Sequence, residues 1–461
     1  MTCPHPEVNA PESFFLQNLF AALMTKKIRY AVMRNPEPLP YSAGGSDLDL
    51  LVARQDGERT KAALFEAIHV TGGVALGISE TSGFFKVYAF GQNSEVDNSW
   101  WGQRIDVNVG LIFKGQSQLT DDEPWPVRNF RGITVLADGF AGVLGVLKEV
   151  LNNSTFPDRY AVAARQGIVQ DWVSIKRLLF PMGEASLEQL KTLLLSDAPP
   201  DEPVIKCRQL RNAFLRHAMT THPGGYLMGR MVYEWSKVRR YLKPSGKIIA
   251  ILGVDGAGKS TIINAIKPVL DDATHNATVV QHLRPTWLPP LAHLKGKNAI
   301  ATGPVLDPHG SKPSGALGSL FRLIYLMLDY ILGYWVKICP KIAKQPTVVI
   351  FDRYVYDIVL DPRRFRIALP SKVIRWFTRL APKPDLIFCL HGNPDVIVAR
   401  KRELPLAEVA RQVDALKEFA ANEPRAVLIS TEGTVEQSRD QVLEAIANYC
   451  AKSAEGRARV G

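Results

Sequence analysis

KIIAILGVDGAGKST, residues 247–261, is the stretch on which the fold of the C-terminal half turns. The apolar run from Ile248 to Leu252 has the length and composition of a buried strand. Gly253, Val254, Asp255, Gly256, Ala257, Gly258, Lys259, Ser260 and Thr261 follow at once, spelling G-x-x-x-x-G-K-S-T. The glycines let backbone N–H groups close around phosphate oxygens, because no Cβ stands in the way. A helix starting near Lys259 aims its unbonded N–H groups and the positive end of its dipole at the same anion. In this pattern Lys259 reaches the β- and γ-phosphates of a nucleoside triphosphate, and the Ser260 hydroxyl ligates Mg²⁺. Strand, loop, lysine and hydroxyl agree, so a triphosphate site is expected over residues 253–261.

The chain has 461 residues, enough for about two to four domains. Its 46% hydrophobic and 22% charged residues are ordinary for a soluble globular protein. The net charge of +11 is unevenly placed: residues 1–150 carry 13 Lys and Arg against 17 Asp and Glu, whereas residues 246–461 carry 29 against 20. A basic excess around a phosphate loop fits a small polyanionic substrate. By charge alone it also fits nucleic acid or an anionic membrane surface. Cys3, Cys207, Cys339, Cys389 and Cys450 form no C-x-x-C pair, which predicts a reduced, cytoplasmic protein without structural zinc. The opening MTCPHPEVNAPESFF lacks the basic and apolar regions of a secretory signal. Leu317–Cys339 is long enough to span a bilayer but contains Arg322, Asp329 and Lys337. An ionised Asp near its middle predicts a buried helix of an α/β domain and no stable membrane insertion.

Residues 1–136 read as an α+β domain. Phe14–Met24 predicts a helix, Ile28–Met33 a strand, and Asn35–Tyr41 a Pro-rich loop. Asp47 and Asp49 lie two residues apart at the start of another strand, so they share a face. Two carboxylates that close repel each other and invite a divalent cation. A later strand, Arg104–Val109, brings Asp106 as a third carboxylate. This D-x-D with a third aspartate resembles the nucleotidyltransferase superfamily of the polymerase-β type. The resemblance implies metal ligation by Asp47, Asp49 and Asp106 for in-line attack on a nucleotide α-phosphate. The chain departs from that family at Met33-Arg34-Asn35, which stands where a Gly-Ser pair grips the triphosphate.

Residues 137–243 read as a helical block with helices near Phe140–Val150, Tyr160–Phe180, Leu187–Leu195, Val204–Met219 and Tyr226–Leu242. It ends at Pro244-Ser245-Gly246, a boundary signal. Arg239, Arg240 and Lys243 read as a solvated face.

Further landmarks follow the phosphate loop in order. The strand Thr347–Phe351 leads into Asp352-Arg353-Tyr354. The strand Asp385–Leu390 precedes Asn393-Pro394-Asp395 and the basic run Arg400-Lys401-Arg402. Val427–Ser430 is a last strand and Glu436–Cys450 a closing helix. With G-V-D-G-A-G-K-S-T, this series resembles the thymidylate kinase family over about residues 246–450. The resemblance implies that Asp352 serves the metal or the acceptor, and that Arg353 and Arg284 hold the acceptor phosphate. It also implies that Asp255 faces the acceptor and that Arg400 and Arg402 act from a lid. Gly256 occupies the place of the loop arginine that some members carry. Asp329-Tyr330 stands where the family has a thymine-reading arginine, and an insert at residues 287–319 replaces a short segment.

These readings predict an α/β protein with three domains. Residues 1–136 are nucleotidyltransferase-like, 137–243 helical, and 244–461 a P-loop NTPase parallel sheet of the thymidylate kinase type. The expected activity is ATP- and Mg²⁺-dependent phosphotransfer, nominally from ATP to dTMP. Lys259, Asp352, Arg353, Arg400 and Arg402 carry the chemistry, and residues 253–261 hold ATP. Asp255, Arg284 and Arg353 hold the acceptor, and Ser260 and Asp352 hold Mg²⁺. The expected partner is a small phosphorylated molecule and not nucleic acid; a homodimer stays open. The alternatives are a kinase of sugar phosphates or glycans, a nucleotidyltransferase, and a non-catalytic nucleotide-binding scaffold.

Overall fold

The computed structural model describes residues 10–93, 99–195, 202–289, 314–401 and 404–458, and the chain divides after Arg240 into two units. The first runs α1 (Ser13–Thr25), β1 (Tyr30–Val32), β2 (Leu48–Val52), α2 (Gly57–Val70), β3 (Gly73–Thr81), β4 (Phe84–Asn93) and β5 (Ser99–Val109). A two-residue pair, β6 (Ile112–Phe113) and β7 (Gln116–Ser117), precedes β8 (Val127–Phe130) and β9 (Ile133–Leu136). Helices complete it: α3 (Asp138–Asn153), α4 (Asp158–Leu178), α5 (Glu184–Leu195), α6 (Glu202–Thr221) and α7 (Pro223–Leu242).

Seven strands form one sheet in the order β3-β4-β5-β2-β1-β9-β8. The two-residue period of a strand divides its side chains between two cores. Tyr30, Val32, Leu50 and Val52 pack with Phe15 and Leu19 of α1 and Leu64 and Ile68 of α2. Ala31, Met33, Leu51 and Ala53 pack with Val143 and Leu147 of α3 and a cluster that extends to Phe214 of α6. Residue 136 is therefore not a domain boundary, contrary to expectation. Helices α3–α6 cover one face of the sheet, and a sheet face this apolar needs a covering layer. Each Leu or Phe buried there contributes about 1.5–3 kcal/mol relative to exposure. The five helices expected in this region are all present.

The second unit opens with β10 (Lys247–Gly253), α8 (Lys259–Thr274) and β11 (Val279–His282). Next come α9 (Ala316–Gly333), α10 (Cys339–Lys344), β12 (Val348–Asp352), α11 (Asp357–Leu360) and α12 (Ser371–Thr378). It closes with β13 (Leu386–His391), α13 (Pro394–Arg400), α14 (Leu406–Asn422), β14 (Ala426–Ser430) and α15 (Val435–Ala458). The sheet order is β11-β12-β10-β13-β14, and every described pairing is parallel. Every residue of β10 is buried, as befits a central strand of a covered parallel sheet. Ile248, Ala250 and Leu252 pack with Leu323, Met327 and Tyr330 of α9.

The segment expected to be a buried helix of an α/β domain is buried on one side only. Leu323, Met327, Asp329 and Tyr330 face the core, while Leu317, Phe321, Ile324, Leu328 and Trp335 are exposed. The run Ala316–Lys344 is long and apolar enough to cross a membrane, and 33% of its most apolar window is buried. Apolar residues recur on both sides of it, so composition alone does not show which side packs.

Candidate functional site

β10 ends at Gly253 and α8 begins at Lys259, so residues 254–258 make the turn between them. Gly256 and Gly258 have φ of +90° and +89°, the left-handed region that favours glycine. A Cβ on Gly256 would lie 3.0 Å from the Ile397 carbonyl oxygen and 3.2 Å from Lys401 Cβ. A Cβ on Gly258 would meet nothing nearer than Thr431 Cγ2 at 4.0 Å, so the space beside it is open to a phosphate. Lys259 is buried, and its Nζ donates to the carbonyls of Gly253 and Val254, both at 2.9 Å. Burial, reinforced by the nearby Arg353 guanidinium, pushes its ammonium down to about 8.

Asp352 ends β12, beside Ile251 of β10, at the carboxyl edge where open parallel sheets bind ligands. Its Oδ2 lies 3.4 Å from His282 Nδ1, at the end of β11. Its Oδ1 is buried without a hydrogen-bond partner among the described residues. Burial opposes ionisation of this carboxyl, but the His282 hydrogen bond and the Lys259 charge outweigh it and lower its pKa. A buried, ionised oxygen without a donor fits a Mg²⁺ ion or its water.

Arg353 has φ of +72°, and its N–H donates to the Ile251 carbonyl at 3.0 Å. Such a backbone costs about 1–3 kcal/mol and persists where the surroundings hold it. The Arg353 side chain is buried, ion-paired with Asp255 and 3.5 Å from Asp357. Arg364 also pairs with Asp255, and Lys259 lies 3.6 Å from it. Burial opposes ionisation of Asp255, yet Arg353, Lys259 and Arg364 hold it well below the usual carboxylate range.

Asp255, Lys259, His282, Asp352, Arg353 and Arg364 line one cavity of about 620 Å³. Asp255, Gly256, Gly258, Lys259, Ser260 and Thr261 line it from the loop and α8, with Asp352, Arg353 and Arg400 opposite them in sequence. Gly253 and Ala257 are buried and absent from the lining.

Over about a third of its length, the chain is similar to thymidylate kinases. No family model matches it. The thymidylate kinase of Xanthomonas campestris pv. campestris is 30% identical over 161 residues, 35% of this chain and 63% of that enzyme. The probable thymidylate kinase of Pyrobaculum aerophilum is 27% identical over 160 residues, 35% of this chain and 72% of that protein. This chain thus spans under two thirds of the Xanthomonas enzyme's length. Among solved structures, a thymidylate kinase from Ehrlichia chaffeensis matches with a TM-score of 0.32 and 16% identity, covering 44% of this chain and 100% of that one.

Not every expected residue of this thymidylate kinase-like region joins the cavity. Arg284 is not in its lining; its Nη1 donates to Asp329 Oδ2 at 2.9 Å. Asp329 is fully buried and also accepts from the N–H groups of Thr286 at 3.2 Å and Leu288 at 2.6 Å. Buried charges need such partners, which is why Arg284 is held there. Arg402 lies outside the described residues, as do residues 290–313 of the expected insert. Arg364 and His282 line the cavity without having been anticipated. Arg364 carries no local signal, being 109 residues from its Asp255 partner. His282 could have been found by reading Val279–His282 as a strand.

The N-terminal carboxylates also meet. β2 runs parallel to β5 with Asp49 beside Asp106, and ligand oxygens of Asp47, Asp49 and Asp106 lie within 4.8 Å of one another. They line a cavity of about 580 Å³. Arg34, in the segment where the family's Gly-Ser pair was missed, binds both Asp49 and Asp47, the latter at 2.5 Å. Arg104 Nε and Nη2 form a fork on Asp106 at 2.8 and 2.7 Å. Lys86 reaches Asp106 at 3.2 Å and Lys148 of α3 reaches Asp49 at 3.1 Å. The expected metal-ligand set is thus engaged by four cations. Arg240, expected on a solvated face, lines this cavity.

Proposed function

We propose that the C-terminal unit transfers the γ-phosphoryl group of ATP to a small phosphorylated acceptor, with dTMP as the nominal one. An acceptor phosphate oxygen attacks the γ-phosphorus, the bond to the β,γ-bridging oxygen breaks, and ADP leaves. Charge spreads over the transferred group, so fixed cations in a shielded site lower the barrier. Lys259 and Arg353 supply such charge, with Arg400 on the same cavity. Ser260 and Asp352 would hold Mg²⁺, which neutralises charge on the triphosphate. The observation that carries the reading is the partnerless buried oxygen of Asp352 beside the phosphate loop. The test is transfer of label from γ-labelled ATP to a panel of dTMP, other nucleoside monophosphates and sugar phosphates. Label should move to one acceptor and stay on ATP in Lys259→Ala protein. Acceptor-dependent transfer that survives Lys259→Ala would sink the reading.

The pair Asp329-Tyr330 favours an acceptor other than dTMP. Tyr330 stands where the resemblance puts a base-reading arginine, and it is buried with its hydroxyl donating to the Leu283 carbonyl, while Asp329 is fully buried and engaged by Arg284 and two backbone N–H groups. A sugar phosphate needs no thymine reader. For the first unit, the meeting of Asp47, Asp49 and Asp106 supports a nucleotidyltransferase-like fold. Their cationic partners weigh against metal-dependent nucleotidyl transfer there, and release of pyrophosphate abolished by Asp47→Ala would reverse that judgement.

A further inference from the structure

We propose that the cavity beside Asp47, Asp49 and Asp106 binds a phosphate ester directly through basic side chains, with no divalent cation between ligand and protein. The carboxylates look like a metal site until their oxygens are followed one by one. Asp47 Oδ1 meets Arg34 Nη2 at 2.5 Å, and its Oδ2 meets Arg104 Nη2 at 3.3 Å. Asp49 Oδ1 accepts from Lys148 at 3.1 Å, and its Oδ2 accepts from Arg34 Nε. Asp106 Oδ1 accepts from Arg104 Nε at 2.8 Å, and its Oδ2 from Arg104 Nη2 at 2.7 Å, with Lys86 at 3.2 Å. Each carboxylate oxygen therefore already faces a cation. A metal ion would have to strip guanidinium forks from carboxylates that are nearly fully buried, leaving buried charges without partners.

Charge points the same way. Three carboxylates against Arg34, Arg104, Lys86 and Lys148 leave the centre with one positive charge in excess. Lys114, Arg159 and Arg240 line the same cavity against one further acid, Glu149. The lining thus holds seven basic and four acidic side chains, a net +3. A partly enclosed cavity focuses such a field, which repels a dication and draws in an anion. The lysines are crowded. Burial, together with Arg104 and Lys148, lowers the Lys86 ammonium; burial, together with Arg211, Arg230 and Lys237, lowers Lys114. A phosphate would relieve both.

The donors suit that ligand. Lys86 and Lys148 lie 5.2 and 5.8 Å from the centre of the Phe84 ring. An ammonium has three N–H donors and each of these uses one on a carboxylate, so both have donors to spare. Phe84, Tyr160 and Tyr233 give the same wall aromatic surface for the organic part of an ester. A volume of about 580 Å³ suits a small organic phosphate. The carboxylates act here as positioning residues that hold the cations in place.

The test uses the full chain carrying Lys259→Ala to weaken the phosphate loop, and two paired variants assign any remaining binding to one cavity or the other. Inorganic phosphate, pyrophosphate, ATP and glucose 1-phosphate are titrated calorimetrically in EDTA and again in Mg²⁺. At least one organic phosphate should bind in EDTA, with affinity no better in Mg²⁺ and falling as salt rises. Lys148→Gln with Lys114→Gln should weaken that binding at least about tenfold, whereas the more exposed pair Lys26→Gln with Arg128→Gln should not change it. ATP and glucose 1-phosphate distinguish a nucleotide from a sugar as source of the ester. Binding that requires Mg²⁺ overturns the proposal. So does Mn²⁺ uptake, read by paramagnetic resonance, that disappears in Asp49→Asn. Failure of every phosphate to bind also overturns it. Because Lys148 and Lys114 line only this cavity, loss of binding in that pair bears on this proposal and not on the kinase reading.

Discussion

Two cavities of this chain each place aspartates on or beside strands among basic side chains, yet they differ in what the carboxylates have left to offer. Beside the phosphate loop, Asp352 keeps a buried oxygen without a donor among the described residues. In the first unit, every oxygen of Asp47, Asp49 and Asp106 faces an arginine or lysine. Strand position is therefore not enough to make a metal ligand; unsatisfied valence is. Burial raises the cost of an unpartnered charge, which is why the Asp352 oxygen supports the proposed Mg²⁺ position. A carboxylate whose oxygens each meet a cation holds those cations in place.

This contrast is broken most directly at Lys259. Lys259→Ala should lower acceptor-dependent ADP formation about a thousandfold, the upper range for loss of one charge-stabilising donor, measured by coupled ADP release. Asp106→Ala should act on stability instead. It leaves Arg104 and Lys86 without their carboxylate, and loss of one buried partner costs about 3 kcal/mol. Urea unfolding of the first unit should show that loss, with ADP formation by the folded fraction unchanged. Asp352→Asn should do the reverse, lowering ADP formation about a hundredfold. It should cost the second unit only about 1 kcal/mol, from the Oδ2 contact with His282 and the attraction of Lys259, well below the cost of Asp106→Ala. If Asp352→Asn unfolds the second unit while Asp106→Ala does not disturb the first, the distinction fails.

The smallest effect is a pH dependence. The Lys259 ammonium is pushed down to about 8 by burial and Arg353, and a bound phosphate would raise it again. Below about 8 the lysine is charged with or without nucleotide, so affinity is flat. Above that value binding must take up a proton, and ATP affinity falls with rising pH by at most about tenfold per unit. Calorimetry in buffers of different ionisation enthalpy should detect the uptake near pH 9 and lose it in Lys259→Ala. A pH-independent affinity there would mean that the lysine does not meet the phosphate.

Residues 247–261 determine their own local structure. An apolar run, glycines where the backbone turns left-handed, and a lysine opening a helix obey rules that act within a few residues. The same holds for Asp47 and Asp49, which share a face because strands repeat every two residues. What only the tertiary structure decided is which charges meet. Arg364 comes to Asp255 from 109 positions away. The cations around Asp106 and Asp49 come from the segment after β1, from β4 and β5, and from α3. The merging of residues 137–240 with the sheet before them was likewise set by which apolar face needed cover. Periodicity and steric preference are local and can be read along a chain. Pairing of distant charges follows from how the layers pack, and that is written in no single stretch.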